Sequence, residues 1–559
     1  MNIMRVYTKS IFLIICILYS SALVIKAEDC NCKHTINNNE LNVDGSQLNV
    51  LPGDTICIQS GFRKILRLIN FHGDSLNYIV FKNCGGDVIV ENEDHYYGIV
   101  ISNCSYFRFT GSGDKTSNYG IKILKTPKGA NGLSIDGLST DYEIDHIEIA
   151  NTGFAGIVSL TQPSCDKLNN RDNFVQKNTI IHDNYIHDTF GEGIYIGHSY
   201  YNGFSTNCNN LSEILYPHSI EGLRVYNNLV ENSGWDGIQV SCASSDCEIF
   251  NNKIINYGLA KEESQNSGIQ IGAGTTGKCF NNSIFGGSGS GIVVFGLGNN
   301  NLYNNIIVNS GNSTSDNLDK KAYGIFCDDR STILGRSFNF INNTIINPKT
   351  DGIRIYSKLS NNNNIINNLI IKPGSYGQYK SVEQSYIYLN NEVKAIVTNN
   401  YFTQNLSPFI DLNSNSNIYN FTLTLPVINK GRDVHEFGIY HDFNNDIRNK
   451  DNSCDIGAFE FDTLQVKTDS KSNYKIYPNP SSGIFMVYNN TEKMINRILI
   501  KTINGKKIYE ENYINSNGGL INLTERLKNG VYLIDIDTNT ERKTEKIIIN
   551  RVSMNENKE

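Results

Sequence analysis

Two short sequence elements alternate through the middle of the chain and constrain its fold more than any other feature. One is Gly-Ile followed by residues of alternating polarity, and the other is Asn-Asn followed by a short apolar run. Such a repeat predicts similar units that stack on one another. The Gly-Ile element recurs at Ile157, Ile194, Ile238, Ile269, Ile292, Ile325 and Ile353. The Asn-Asn element recurs at Asn227, Asn251, Asn281, Asn304, Asn342, Asn367 and Asn399.

The spacing and composition of the repeat indicate which kind of stack it forms. The Gly-Ile elements lie 23 to 44 residues apart, so a short unit carries insertions of variable length. Each run alternates with a period of two and no helical period separates the runs, which excludes strand-helix solenoids and favours a coil of short parallel strands. The 80 asparagines among 559 residues disfavour helices and tolerate tight turns. One asparagine per coil can form a hydrogen-bonded ladder.

This pattern resembles the right-handed parallel β-helix of pectate-lyase-like proteins, over roughly residues 45–460. The resemblance implies an all-β fold, a right-handed parallel β-helix solenoid, which we place at residues 28–463. The same fold carries lyases, hydrolases, epimerases and adhesins, so it does not specify an activity. A closing segment at Ile428–Phe461 resembles the end of secreted β-helix proteins, with its turns capping the open end of the stack. We expect Asp455 and Glu460 in it to be structural.

The N-terminal segment differs from the rest of the chain. Residues 1–27 combine the basic residues Arg5 and Lys9, an apolar run and a small residue, Ala27, which predicts a secretory signal peptide. No comparable apolar run follows, so we expect no transmembrane segment in the mature chain.

Cysteine number agrees with export. Removal of the signal peptide leaves twelve cysteines, an even number that predicts disulfides in an exported chain. The close pairs Cys30/Cys32 and Cys242/Cys247 are candidate loop staples, although sequence does not establish connectivity.

The C-terminal region changes to Lys-rich alternating runs separated by Pro-Asn-Pro and Asn-Gly turns, which predicts a small β-sandwich. Four of its segments, in order, resemble the C-terminal sorting domain of the type IX secretion system of Bacteroidetes. The resemblance implies a sorting domain at residues 464–550 with a tail at 551–559. It also implies the type IX secretion machinery as a partner and export through the outer membrane, so that the protein is secreted or on the cell surface. The matching segments are Tyr474–Phe485, Ile500–Glu510, Leu527–Ile536 and Lys543–Asn550.

Charge limits the partners. The net charge of the whole chain is −7, and about −14 of charge falls on residues 28–463. Nucleic acid is therefore not an expected partner. An anionic polysaccharide would need a metal ion or local arginines to offset this charge.

Extracellular polysaccharide is the expected substrate. Polar and aromatic residues that flank the repeated isoleucines would form a row along one face of the stack, and such a row suits a chain of sugar rings. Residues after each isoleucine should point outward. Aromatic residues in the long insertion His198–Ser219 would wall a groove on that face. The candidate substrate-binding residues are Gln239, Gln270, Arg354, Tyr200, Tyr201 and Trp235.

Two chemistries fit these residues, and β-elimination from a uronate-containing glycan is the leading hypothesis. Hydrolysis by Glu192 with Asp236, or by Asp328 with Asp329, is the alternative. A non-catalytic glycan-binding or adhesion protein is a further alternative. Calcium is the candidate cofactor, with Asp188, Glu192 and Asp236 as candidate oxygen ligands. The candidate catalytic residues are Glu192, Tyr195, His198, Asp236 and Lys261.

Overall fold

The coordinates, a computed structural model, divide into two units, residues 1–461 and 462–559. The predicted signal peptide, residues 1–27, and the tail, residues 551–559, lie outside the described residues. In the first unit the structure describes residues 30, 32–114, 117–311, 321–374, 383–390, 392–405, 426–448 and 453–460. In the second it describes residues 474–477, 479, 481, 483–489, 494–502, 505–516, 518–523, 526–538 and 542–549.

Most coils of the first unit contribute one strand to each of three faces, and every strand pairs in parallel with its counterparts in the neighbouring coils. The all-β parallel β-helix prediction is confirmed. Strands of the first face are Ser105–Thr110, Thr140–Asp145, Thr179–His182, Arg224–Tyr226, Cys247–Phe250, Gly277–Phe280, Asn300–Tyr303, Phe338–Ile341, Asn363–Ile366 and Ala395–Thr398. Strands of the second face are Ile121–Lys125, Ile147–Ala150, Tyr185–His187, Leu229–Glu231, Lys253–Tyr257, Ser283–Gly287, Ile306–Ser310, Thr344–Ile346, Leu369–Ile371 and Tyr401–Thr403.

The third face is a separate sheet of 12 strands and carries the Gly-Ile elements. Its strands are Asn42–Asp44, Leu66–Ile69, Tyr97–Ser102, Asn131–Asp136, Ile157–Ser159, Ile194–Ile196, Ile238–Val240, Ile269–Ile271, Ile292–Val294, Ile325–Cys327, Ile353–Ile355 and Ile387–Leu389. In the opening coils the strands His34–Ile36, Thr55–Arg63 and Ile79–Glu91 join the first and second faces into one sheet of 23 strands.

Smaller elements decorate the coils. The strands Val175–Lys177, Ser219–Glu221 and Ala243–Ser245 form a parallel sheet, and Phe204–Cys208 pairs with Leu211–Leu215 as a hairpin. Short helices lie at Gly45–Gln47, Glu383–Tyr386 and His435–Phe437. Among the described residues, no helix has the length and apolar character needed to cross a bilayer.

The Asn-Asn element has two different structural tasks. Its first asparagine turns the chain from the first face to the second in a left-handed conformation, as at Asn251, where φ is 56°. Asparagine adopts this conformation more readily than most side chains, since its short polar group can bond locally. The second asparagine points into the core and donates its amide to the asparagine of the next coil, at 2.9–3.0 Å. This ladder comprises Asn184, Asn228, Asn252, Asn282, Asn305, Asn343, Asn368 and Asn400.

Substitution of a central ladder residue should destabilise the solenoid. Asn305 is fully buried, donates to Asn343 Oδ1 and to Cys279 O, and accepts from both the side chain and the backbone of Asn282. We expect Asn305→Ala to lower the free energy of unfolding by about 2 kcal/mol, because buried partners lose their hydrogen bonds. Urea denaturation measures this. Asn301→Ala, which loses one half-buried hydrogen bond from Asn339, should cost at most about 1 kcal/mol, and equal losses would contradict the ladder's role.

The closing segment does not cap the end of the stack in the described residues; it packs along the side of the last coils. Val427 and Ile456 cover apolar residues on the outside of the second face, and Val434 and Ile439 cover residues on the outside of the first. Asn342 donates to the carbonyl of Asp455. The capping prediction is therefore wrong, because these last strands expose apolar side chains outward and the segment buries them.

The cysteine pairing also differs from the expectation. The disulfides join Cys30 to Cys84, Cys32 to Cys57 and Cys165 to Cys208, and the six other described cysteines are free and buried. The staples Cys30/Cys32 and Cys242/Cys247 are wrong. The reason is that Cys247 lies inside the solenoid core, whereas Cys242 contacts the carbonyl of His198.

The second unit is a small antiparallel β-sandwich, as predicted. Its sheets share one apolar core that includes Phe485, Val487, Ile498 and Ile534. One sheet contains Tyr474–Tyr477, Ile484–Asn489 and Gly518–Asn522. The other contains Ile495–Thr502, Lys507–Ser516, Gly530–Thr538 and Arg542–Ile549.

Candidate functional site

Two columns of side chains run along the outside of the third face. The strand column consists of the residue that follows each inward-pointing Leu or Ile, and these residues pair in continuous register. The turn column consists of the residue two positions before the same Leu or Ile. The strand column reads Arg67, Val100, Ser134, Val158, Tyr195, Gln239, Gln270, Val293, Phe326, Arg354 and Tyr388. The turn column reads Asn131, Ala155, Glu192, Asp236, Ser267, Ser290, Tyr323 and Asp351.

The strand column lies in the expected register but is much less exposed than its outward position suggests. Gln239 and Gln270, candidate substrate-binding residues, are 1% and 7% exposed. Turn-column residues bond the strand column of their own coil at Asn131 with Ser134 and at Asp351 with Arg354, and Ser199 of the neighbouring insertion bonds Gln239. Open access to the face is therefore confined to a few places.

Glu192, Tyr195 and Asp236 are brought together on adjacent coils. The backbone N–H of Gly193 donates to the carbonyl of Asp236, which sets the two carboxyl residues in neighbouring turns. Glu192 is 2% exposed and Asp236 is fully buried, whereas Tyr195 is half-buried above them. Two buried acids therefore lie close to a tyrosine that is partly exposed.

Burial shifts both carboxyl groups towards the protonated form, which Glu192 keeps below a pH of about 7. It raises the pKa of Glu192 to about 7 and raises the pKa of Asp236 well above its ordinary value, with the neighbouring Glu192 adding to the second shift. Asp236 Oδ1 accepts the backbone N–H of Ser267 at 2.5 Å. Glu192 Oε2 and Asp236 Oδ2 have no hydrogen-bond partner within the described chain. A shielded, uncharged pair of acids is thus available to a ligand or to each other.

Ser199 links the half-buried Tyr195 to the buried Gln239. Its hydroxyl lies 2.8 Å from the Tyr195 hydroxyl and accepts from Gln239 Nε2, also at 2.8 Å. Burial raises the pKa of Tyr195. Gln239 Oε1 is buried and lacks a partner among the residues described. The phenol is therefore held protonated in a fixed position.

His198, a candidate base, is tied into the wall of the site. Its Nδ1 accepts the backbone N–H of Tyr200 and its Nε2 lies 2.8 Å from Gln162 Oε1. The ring stacks on Phe204, and burial lowers its pKa. Both ring nitrogens are thus engaged.

The insertion with the aromatic residues forms a fixed wall next to Tyr195. Tyr200 is 62% exposed, whereas Tyr201 lies under the guanidinium of Arg171, 4.2 Å from its ring centre. The disulfide Cys165–Cys208 ties the hairpin of this insertion to the preceding loop. Of the two candidate substrate-binding tyrosines, Tyr200 has the ring that is more exposed to solvent.

Three further candidates lie at the turn side of this site. Lys261 is exposed on the loop after Lys253–Tyr257 and makes no ion pair within the described residues. Trp235 is half-buried, with its ring edge-on to Phe154 at 5.2 Å. Asp188 bonds His187 and Asn232 at the outer corner of its coil. None of the three contacts Glu192 or Tyr195 in the described structure.

Arg354 lies five coil steps from Tyr195, about 24 Å away at the usual strand spacing. It is buried, bonds Asp351 at 2.9 Å, and lies over the ring of Tyr388 at 4.2 Å. The alternative hydrolytic pair belongs to this end, where Asp328 accepts from its own loop and Asp329 accepts the N–H of Lys358. The two ends of the face are therefore separate sites.

Sequence reasoning missed an open cleft on the opening coils of the same face. The cleft has a volume of about 350 Å³ and is lined by Arg67, Tyr96, Asn131, Ser134, Asp136 and neighbours. Gly98-Ile99 precedes Val100 in the lining, but Ile65-Leu66 precedes Arg67, so the repeat does not mark the coil of Arg67. An exposed arginine after an inward leucine was the available signal.

Metal-ligand chemistry fits the acids poorly. Calcium takes six to eight oxygen ligands, mostly ionised or carbonyl, and Glu192 with Asp236 supplies only two carboxyl groups, whose pKa values burial raises. A second acidic cluster, Glu143, Asp145 and His182 on the first face, is already paired with Arg108. Neighbouring carboxylates, opposed by burial, raise the pKa of His182 to about 9, so this ring is a cation rather than a ligand.

Comparison with known proteins identifies two regions of the chain. Residues 214–391 match the family described as right handed beta helix region, and residues 475–550 match the secretion system C-terminal sorting domain. Comparison with curated proteins returns no match. The chain therefore carries the export signal of the type IX machinery and is secreted or displayed on the cell surface.

Solved structures of similar fold include an alginate lyase from Paenibacillus sp. str. FPU-7, with 18% identity and a TM-score of 0.32 over 65% of this chain and 99% of that chain. The mannuronan C-5 epimerase AlgE4 A-module of Azotobacter vinelandii has 11% identity and a TM-score of 0.28, over 62% of this chain and 91% of that chain. The PL6 family polysaccharide lyase Pedsa3628 of Pseudopedobacter saltans has 14% identity and a TM-score of 0.25, over 65% of this chain and 92% of that chain. At these values the neighbours define neither the substrate nor the reaction of this chain.

Proposed function

We propose that this exported right-handed β-helix protein acts on an extracellular, uronate-containing polysaccharide by β-elimination on its third face. The observation that carries the proposal is the pair Glu192 and Asp236, whose burial beside the half-buried Tyr195 raises the pKa of both carboxyl groups. A neutral carboxylic acid can donate a hydrogen bond to an oxygen that gains negative charge in a reaction. It also removes the repulsion that two carboxylates would impose on an anionic sugar.

Elimination suits these groups better than hydrolysis does. A glycoside hydrolase of the two-carboxyl type needs one acid protonated and the other ionised. Here burial raises the pKa of both Glu192 and Asp236. Elimination requires no carboxylate from the protein, because the base removes a carbon-bound proton and charge develops on the substrate carboxylate.

The chemical steps assign a role to each group. A base takes the proton alpha to the uronate carboxyl group, the electron pair forms a carbon-carbon double bond, and the glycosidic carbon-oxygen bond breaks. Tyr195, whose pKa burial raises, donates the proton that the leaving oxygen needs. The protonated acids stabilise the charge on the uronate carboxylate, and Gln239 fixes the phenol through Ser199. Lys261 is the remaining candidate base, because both nitrogens of His198 are engaged.

The test is a product assay with the purified full chain. Polyuronates and neutral polysaccharides are each incubated with and without calcium, and unsaturated ends are followed by ultraviolet absorbance while reducing ends are measured separately. Elimination gives both signals from polyuronates only. Reducing ends without absorbance would assign hydrolysis instead. Retention of a polyuronate with neither signal would assign a glycan-binding protein, for which the near-complete burial of the two acids is the supporting observation.

Glu192 should give activity and stability a shared dependence on pH. Since its folded pKa, about 7, lies above the ordinary 4.5, the folded state binds the proton more tightly than the unfolded state. Stability is therefore greatest below pH 4.5 and declines as pH rises towards 7. Turnover should also fall above pH 7 as the donor ionises. We expect Glu192→Gln, an uncharged donor, to remove the part of both profiles that Glu192 contributes, while the raised pKa of Asp236 leaves a further dependence. A Gln variant with an unchanged pH dependence of unfolding would contradict this assignment.

A further inference from the structure

The strongest unassigned feature is the cleft on the opening coils of the third face. Its volume of about 350 Å³ falls within the range of small-ligand sites, 300–1,000 Å³. It lies in the same strand column as Tyr195, with Arg67, Val100, Ser134 and Val158 as the successive steps between them. Four steps at the usual spacing separate Arg67 from Tyr195 by about 19 Å.

The polar groups of the cleft are arranged for a ligand that carries both charge and hydroxyl groups. Arg67 is exposed and forms no ion pair in the part of the chain that is described. Asn131 donates to Ser134, which leaves its Oδ1 buried without a partner among described residues. Asp136 also lines the cleft. A guanidinium, an unused acceptor and a carboxylate therefore face one space.

An aromatic ring completes the site. Tyr96 lines the cleft with 82% of its surface exposed, an unusual position for a large ring with no evident packing role. Exposed tyrosine rings offer an apolar body that can cover the face of a sugar. The cleft thus combines a ring platform with one cation and two hydrogen-bond acceptors.

We propose that this cleft is a subsite for one uronate residue of the polysaccharide, separate from the site of chain cleavage. Arg67 takes the carboxylate, a pairing that suits the two-pronged geometry of guanidinium. Asn131 Oδ1 and Asp136 accept sugar hydroxyl groups, and Tyr96 packs on the ring. The proposal rests on the proposed substrate class and extends it along the face. A chain bound at both places would be positioned over Tyr195 by its charge pattern.

Binding of small sugars tests the subsite without turnover. D-glucuronate, D-glucose and D-glucose 6-sulfate are titrated into the full chain and followed by nuclear magnetic resonance. We expect glucuronate to bind, and Arg67→Ala to weaken it roughly tenfold, the loss of one charged hydrogen-bonded pair. Arg67→Lys should keep part of the affinity, and Tyr96→Ala should weaken all binding. The matched control is Lys64→Ala, an exposed cation three positions away that pairs with Asp94 and should bind like wild type.

Several outcomes would overturn the subsite: equal binding of glucose, equal or tighter binding of the sulfate, or unchanged glucuronate binding in Arg67→Ala. Oligouronates of increasing length give an independent measurement, in which Arg67→Ala should weaken only chains long enough to span the distance to Tyr195. Failure of the proposed function looks different, because glucuronate would still bind at Arg67 while no unsaturated product formed.

Discussion

Arg448→Ala should destabilise the first unit by about 3–5 kcal/mol, the cost of leaving a buried charge without its partner. The guanidinium is 1% exposed and donates to Glu460 Oε2 at 2.9 Å, to Asn304 Oδ1 at 2.8 Å and to the carbonyl of Gly457 at 3.0 Å. It thereby joins the closing segment to a coil 144 residues earlier. Removal takes away the cation that pairs with Glu460 Oε2, which also accepts the backbone N–H of Asp455.

The control is another arginine of the same segment. Arg432 pairs with Glu436 at the surface, where both side chains are more than a third exposed, so Arg432→Ala should cost at most about 1 kcal/mol. Thermal or urea unfolding of the full chain, following the first unit's transition, measures both. Similar losses in the two variants would contradict a buried structural role for the pair, and with it the placement of Glu460 as structural.

Tyr195→Phe should reduce turnover of a polyuronate about 100-fold or more, because the variant cannot donate a proton to the leaving oxygen. The ring and its position in the strand column remain, and only the bond to Ser199 is lost. Substrate affinity should therefore change little while kcat falls. Steady-state kinetics on the polyuronate identified in the product assay separates the two quantities.

Tyr303→Phe is the matched control for the loss of a phenol. Tyr303 stacks on Phe280 on the first face, at 4.8 Å between ring centres, far from the proposed site. Its removal of a hydroxyl should leave turnover and folding as in wild type. A Tyr195→Phe variant as active as the Tyr303→Phe variant would remove Tyr195 from the chemistry and leave the third face as a binding surface.

The sequence predicts the regular parts of this protein, because each of them is a local pattern that is repeated many times. The isoleucine anchors led directly to the register of the third face, in which Tyr195 lies beside Gln239 and Gln270. The pairing of asparagines led to the ladder, although the left-handed role of the first asparagine of each pair was recognised only as a general tolerance for turns.

For the candidate site, the sequence predicts which residues lie near one another but not how deeply they are buried or which hydrogen bonds they make. Glu192, Tyr195 and Asp236 do meet, but the burial of the two acids, and the raised pKa that follows from it, arises only in the folded stack. His198 looked like a free base because nothing nearby in sequence shows that Gln162 and the N–H of Tyr200 engage both its nitrogens. Disulfide partners such as Cys165 and Cys208 are likewise set by loop packing.

The repeat by itself, then, predicts the parallel β-helix, and the C-terminal segments predict the sorting domain, because strand period, turn residues and short motifs are properties of neighbouring residues. The closed middle of the third face, the open cleft at Arg67 and the side packing around Arg448 arise only when the coils are stacked. Which outward residue remains accessible depends on the insertions above and below it, and contacts between residues so distant in sequence leave no local pattern to read.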